Sequence, residues 1–135
     1  MLLRAIFVSG LLATVLPHAA LSGERVNNPR ALVVRGMNVT NCNAASIGAG
    51  SNPQVGVNGD VQNLSVSCSP DGKTSLKTLR KPLPNPHYCW TTLKDLEKRN
   101  GNVALITDPT PGNAFHCIVN DITPNEMKKA LHYVP

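Results

Sequence analysis

Four widely spaced cysteines constrain the fold of this chain more than any other feature: Cys42, Cys68, Cys89 and Cys117. No two of them have the C-x2-C or C-x4-C spacing of common zinc sites, so they do not indicate a metal. In an oxidising compartment, cysteines pair by default. We therefore predict two disulfides, each closing a loop worth roughly 3–4 kcal/mol to a small domain.

An apolar leader indicates that the chain reaches such a compartment. Arg4 precedes the apolar run 5–16, and small residues follow at Ala20 and Ser22. This order is typical of a secretory signal peptide. We predict a signal over residues 1–22 and a single domain over 23–135, in the periplasm or outside the cell. No other apolar run approaches the ~18 residues that span a bilayer, so we do not expect an integral membrane protein.

The N-terminal half predicts a small antiparallel β-meander. Residues 23–30 are polar and predict a loose arm, and the β-branched run 31–42 predicts a first strand. The small polar residues at 43–54 predict a surface loop. Asn58-Gly59 predicts a hairpin turn before the alternating run 64–68, which would point Cys68 inward. Residues 74–79 predict a returning strand.

The C-terminal half predicts the order α-β-β-α. Asn85 and Pro86 can begin a helix that carries Cys89, Trp90, Leu93 and Leu96 at helical spacing. Short strands are predicted at 103–106 and 115–119. A second helix begins at the capping box of Thr123 and Glu126. The predicted fold class is therefore α+β: a small antiparallel sheet with two helices, stapled by two disulfides.

This layout favours one of the three possible disulfide pairings. Cys42 and Cys68 flank the predicted hairpin, whereas Cys89 and Cys117 lie on the predicted first helix and last strand. Pairing Cys42 with Cys68 and Cys89 with Cys117 would staple each half separately. We predict this pairing.

Cys89 and His116 are candidates for thiol chemistry. A cysteine near a helix start can be held as a thiolate by the helix and an imidazolium partner. Cys89-Trp90 resembles the Cys-Trp pair of papain-like thiol enzymes, a resemblance that covers these two residues. A disulfide at Cys89 would remove the nucleophile, and a structural cystine beside a surface histidine is the competing interpretation.

Histidine acid–base chemistry is the other catalytic alternative. His87, His116 and His132 follow the leader, and two imidazoles could activate a 2′-hydroxyl and protonate the leaving oxygen of RNA. His116 is the most suggestive, because strand alternation turns it away from Cys117. His87 in a proline-rich loop and His132 at a helix end also fit ordinary surface positions.

Charge gives little guidance to a partner. The chain carries +5, and removing Arg4 with the leader leaves +4. Lys73, Lys77, Arg80 and Lys81 form one basic cluster, in which a strand would place Arg80 opposite the lysines. Lys94, Lys98 and Arg99 form another, interleaved with acids. Aromatic residues make up only 4% of the chain, which argues against a ring-lined nucleic-acid platform.

Other motifs are sparse. Asn38 and Asn63 match the N-glycosylation acceptor pattern, which matters only in a eukaryotic source. The sequence contains no phosphate-cradling glycine loop, Gly-x-Ser-x-Gly elbow or acidic cluster, so we expect neither cofactor nor metal.

These observations favour a small basic exported binding protein, such as an effector, inhibitor or antigen, whose partner is another protein or a cell surface. The stapled scaffold and the loop at 43–54 suit the presentation of a contact surface. The alternative is a secreted, toxin-like enzyme centred on His116, and only its ribonuclease form has a nucleic-acid substrate. The sequence leaves open whether the protein is an enzyme.

Overall fold

The structure, a computed structural model, describes residues 23–48, 54–56 and 59–135. The predicted signal at 1–22 lies outside the described residues. The elements are, in order, β1 (Leu32–Met37), α1 (Ala44–Ile47), β2 (Gln54–Val55), β3 (Val61–Gln62), β4 (Leu64–Ser69), α2 (Leu76–Arg80), β5 (His87–Thr92), α3 (Leu93–Arg99), β6 (Ala104–Thr107), β7 (His116–Asn120), α4 (Pro124–Ala130) and β8 (His132–Val134).

A six-stranded antiparallel sheet forms the body of the domain, with strand order β6-β7-β4-β1-β5-β8. The predicted α+β class, with its antiparallel sheet and two disulfides, is confirmed. The described residues contain four helices where two were predicted. The predicted order α-β-β-α is present as α3-β6-β7-α4, preceded by β5 and followed by β8.

The core lies on one face of the sheet, where α1, α3 and α4 cover alternate strand residues. Val33, Met37 and Val66 share this core with Ile47 of α1 and Met127 of α4, all essentially inaccessible to solvent. The short helix α2 packs against β1 and β4. Val34 and Leu79 are fully buried outside the main core, which places α2 on the opposite face because alternate residues of β1 point to opposite sides.

The predicted disulfide pairing is wrong. Cys42 is bonded to Cys89, with Cα atoms 6.1 Å apart, and Cys68 is bonded to Cys117, at 5.9 Å. The prediction assumed that each half of the chain folds separately. Strand β1 instead lies between β4 and β5, and β4 lies beside β7, so the two halves interleave. Each disulfide therefore links the N-terminal half to the C-terminal half.

Two predicted elements have the opposite type. The predicted helix from Pro86 is strand β5 followed by α3, whose N-cap is Thr92. The segment contains Tyr88, Trp90 and two threonines, which favour a strand, and the helical spacing belongs only to Leu93 and Leu96. The predicted strand at 74–79 is instead helix α2, which Ser75 caps by accepting a hydrogen bond from the Thr78 amide.

Local turn and cap signals were more accurate. Gly59 has φ +80°, and β2 pairs with β3 across this turn, although Asn58 lies outside the described residues. The capping box of Thr123 and Glu126 is present at the start of α4. The predicted surface loop at 43–54 begins as helix α1, which Asn43 caps and which buries Ile47. Residues 49–53 of that loop lie outside the described residues.

The N-terminal segment 23–26 is paired, which corrects the prediction of a loose arm. Arg25 forms an antiparallel bridge with Ile106, and Val26 donates a backbone hydrogen bond of 2.8 Å to Leu105. Thr107 donates another, of 2.9 Å, to Glu24. The segment thus covers the outer edge of β6, and this edge pairing helps to build the site described next.

Candidate functional site

His116 lies in a cleft at one end of the sheet. Its ring Nδ1 is 2.7 Å from the backbone oxygen of Asp108 and 3.3 Å from that residue's Oδ2. Because a carbonyl oxygen only accepts hydrogen bonds, Nδ1 carries the proton in this contact. When His116 is neutral, its other ring nitrogen, Nε2, is a hydrogen-bond acceptor. Nε2 can therefore bind a donor on a ligand or take up a proton. The side chain is 17% exposed, so the ring is held but reachable.

The hairpin between β6 and β7 fixes this pair. Asp108 directly follows β6, and its amide donates to the His116 carbonyl at 2.9 Å. Asn113 braces the connecting turn by accepting from the Phe115 amide and donating to the buried Ser67 hydroxyl at 2.9 Å. The pairing of Asp108 with His116 is therefore set by backbone geometry as well as by the side chains.

The His116 cleft has a volume of about 480 Å³ and is open to solvent. One wall is the N-terminal segment, with Glu24, Arg25 and Asn28, and the Cys68–Cys117 disulfide lines the cleft as well. Apolar surface comes from Phe115 together with Pro70 and Pro109. This wall carries the acidic side chain of Glu24 and the cationic side chain of Arg25, whose Nη2 donates to the Val103 carbonyl at 3.4 Å.

The other two histidines that the structure describes, His87 and His132, lie on strands distant from His116. The pairing register aligns His116, Ser67, Val34, Trp90 and His132 across five adjacent strands, so His116 and His132 are four strand spacings, or about 19 Å, apart. His132 stacks on Trp90 with ring centroids 4.9 Å apart. His87 lies on β5, and its Nδ1 is 3.1 Å from the Tyr133 hydroxyl. Within the part of the chain that the structure describes, His116 therefore has no histidine partner.

Cys89 carries no free thiol. It is fully buried on strand β5 and bonded to Cys42, and all four cysteines of the chain are in disulfides. The thiolate that the thiol-enzyme alternative requires is thus absent from the oxidised protein.

Sequence reasoning missed two acidic residues at this site: Asp108, which contacts His116, and Glu24, which lines the cleft. Asp108 lies between the two predicted strands 103–106 and 115–119, and the β6–β7 hairpin places it opposite His116. No local signal identifies Glu24, since its position depends on pairing with β6, about 80 residues along the chain.

Metal and membrane features are not found in the described part of the chain. No group of three or more histidine, cysteine, aspartate or glutamate side chains among the described residues could hold a metal ion. None of the described helices has the length and apolar character needed to cross a bilayer.

No protein family model, no curated protein and no solved structure matches this chain.

Proposed function

We propose that the protein is a small exported binding protein and that the His116 cleft is its contact site. The observation that carries the proposal is the cleft itself: about 480 Å³ of concave space with apolar surface and a few polar side chains. Binding pockets commonly have this volume and this mixture of surfaces. The apolar leader at 5–16 and the two disulfides support export to an oxidising compartment.

The chemistry of the cleft suits a segment of another protein. Phe115 and the two prolines provide an apolar surface for an anchoring side chain, and aromatic residues frequently dominate such contacts. Glu24 and Nε2 of His116 can take hydrogen bonds from a polar neighbour on the same segment. The disulfide in the lining limits the conformational freedom that the site loses on binding.

Selection of peptide ligands against the immobilised, oxidised protein tests this proposal. We expect the selected peptides to lose about tenfold or more in affinity with Phe115→Ala or His116→Ala, because both side chains line the cleft. His132→Ala is the matched control, since that exposed residue lies at the far edge of the sheet. Peptides that bind equally well to all three variants would contradict the proposed site.

A second candidate function is RNA cleavage by acid–base catalysis, favoured by the pairing of His116 with Asp108. Asp108 holds the imidazole in one orientation, and Glu24 lines the same cleft. Glu24 would accept the 2′-hydroxyl proton as that oxygen attacks phosphorus. Protonated His116 would then donate a proton to the departing 5′-oxygen.

Cleavage of a fluorogenic RNA by the oxidised protein tests the second candidate. We expect His116→Ala and Glu24→Gln each to reduce the rate by about 100-fold or more, and His132→Ala to leave it unchanged. Cleavage that persists in His116→Ala, or no cleavage by the unaltered protein, would remove this candidate and leave the binding proposal in place.

A further inference from the structure

A second concave surface lies between α2 and β5, distinct from the His116 cleft. This basic groove is about 430 Å³ in volume and is lined by Lys77, Arg80, Lys81, Leu83, Asn85 and Tyr88. Counting the described residues alone, three cationic side chains and no acidic one line it. Strands β4 and β1 lie between β5 and the strand that carries His116, which separates the two strands by about 14 Å.

The helical structure of α2 brings these cations together. Arg80 and Lys81 follow Lys77 by three and four residues, so all three lie on one side of the helix and its C-cap. A strand would have turned Arg80 to the opposite side. Cations favour a helix C-terminus, but like charges at these spacings repel one another. Among the described residues, none of the three forms an ion pair with a carboxylate.

Arg80 is already oriented at the groove. Its Nη1 donates a 3.0 Å hydrogen bond to the Tyr88 hydroxyl, and its guanidinium carbon lies 4.2 Å from the centre of the Tyr88 ring. The remaining guanidinium N–H groups keep a fixed fork geometry. The Tyr88 hydroxyl accepts from Arg80 and can still donate its own proton.

Asn85 lines the groove, and its side chain lies against β1 at Gly36, where a glycine leaves room for it. A Cβ atom on Gly36 would collide with the Asn85 side chain, which donates a 2.8 Å hydrogen bond to Asn38 Oδ1. These two contacts fix the position of the Asn85 side chain beside the sheet.

We propose that the basic groove binds a tetrahedral oxyanion, a phosphate or sulfate group carried by a ligand. Such a group offers several acceptor oxygens to converging donors, and the Arg fork binds it through paired hydrogen bonds. The concave, cationic surface without carboxylates supplies the complementary charge. This site goes beyond the proposed binding function, because none of its lining residues belongs to the His116 cleft.

NMR titration of the oxidised, isotope-labelled protein tests the proposal, with inorganic phosphate and inorganic sulfate as separate probes and chloride at matched ionic strength as reference. We expect saturable shifts confined to the amides around Lys77, Arg80 and Tyr88 with at least one probe. The probe that binds identifies the anion. Shifts that chloride reproduces, or that lie elsewhere on the protein, would overturn the proposal.

Two triple variants separate a site from general charge attraction. Lys77→Gln/Arg80→Gln/Lys81→Gln should weaken binding by about tenfold or more. Lys94→Gln/Lys98→Gln/Arg99→Gln removes the same charge from exposed positions on α3 and should weaken it by less than about twofold. Equal weakening in both would overturn the proposal. If the first variant does not fold, the variant Lys77→Gln/Lys81→Gln/Tyr88→Phe replaces it. We expect this variant also to weaken binding by about tenfold or more.

Discussion

Gly72 occupies a backbone position that no other residue fits without strain. Its φ is +73°, and a Cβ atom there would collide with the backbone oxygen of Arg30. Because that oxygen belongs to the main chain, a rotamer change cannot relieve the contact. We expect Gly72→Ala to lower the free energy of unfolding by about 1–3 kcal/mol, measured by denaturant titration.

Gly101→Ala is the matched control for this prediction. Nothing lies within 4 Å of a Cβ atom at Gly101, and its φ is outside the left-handed region. We expect a change of less than about 0.5 kcal/mol there. If both variants lose the same free energy of unfolding, the close approach of Gly72 to Arg30 is not what destabilises Gly72→Ala.

Glu126 makes the start of α4 sensitive to pH. The hydrogen bond from the Thr123 amide, with a second from Asn100, lowers the pKa of the Glu126 carboxyl below its ordinary value. Its charged form therefore stabilises the fold above the unfolded pKa, and this contribution is lost as pH falls through the lowered folded pKa. Glu126→Gln keeps an acceptor but never ionises, so we expect a smaller loss of stability between pH 7 and pH 3 than in the unaltered protein.

Thr123→Ala removes the other half of the capping box. Its hydroxyl accepts from the Glu126 amide at 3.2 Å, and losing such a cap costs about 1 kcal/mol. Thermal or denaturant unfolding at both pH values measures both variants. An unchanged pH dependence in Glu126→Gln would contradict the assigned role of the carboxylate.

At the scale of the element, the N-terminal segment acts as a short edge strand. Val26 is buried, and its amide donates to the Leu105 carbonyl on β6. We expect the Val26 amide to exchange with solvent at least about tenfold more slowly than the exposed Asn27 amide. The Val26 amide must first break its hydrogen bond to Leu105 before it can exchange. Hydrogen exchange followed by NMR measures this ratio, and equal exchange rates would mean that the arm is unpaired in solution.

Element type was predictable where one local signal acts alone. The capping box determined α4, and Asn58-Gly59 determined the β2–β3 turn. At 85–99 two signals overlap, since Asn85-Pro86 can begin a helix while Tyr88 and Trp90 favour a strand. Pairing with both β1 and β8 supplies backbone hydrogen bonds that decide for the strand.

At the scale of the whole molecule, the disulfides join segments that are distant in sequence. They connect residues 47 and 49 positions apart, which corresponds to about 4 kcal/mol each in the chain-entropy estimate. We expect non-reducing peptide mapping to find Cys42 linked to Cys89 and Cys68 linked to Cys117. Cys42→Ala/Cys89→Ala and Cys68→Ala/Cys117→Ala should cost similar amounts, because the loops are similar in length. A Cys42–Cys68 peptide would contradict the strand order.

At the candidate site, too, some residues could be identified from their neighbours in sequence and others only from contacts distant in sequence. His116 could be selected from sequence, because alternation with Cys117 turns it away from the disulfide. The contact of Asp108 with His116 follows from the β6–β7 hairpin, which pairs the two residues. Glu24 could not be selected, because its place in the cleft depends on an edge pairing with no local pattern.

The sequence by itself determined the α+β class, the two-disulfide composition, the α4 cap and the hairpin turn, because propensities and turn chemistry act over a few neighbouring residues. The tertiary structure decided which cysteines pair and which residues share the His116 cleft. These features depend on strand order, and strand order follows from burying the whole sheet face at once. Thus the four cysteines predict that two disulfides hold the fold together. The position of β1 between β4 and β5 determines which cysteines form them.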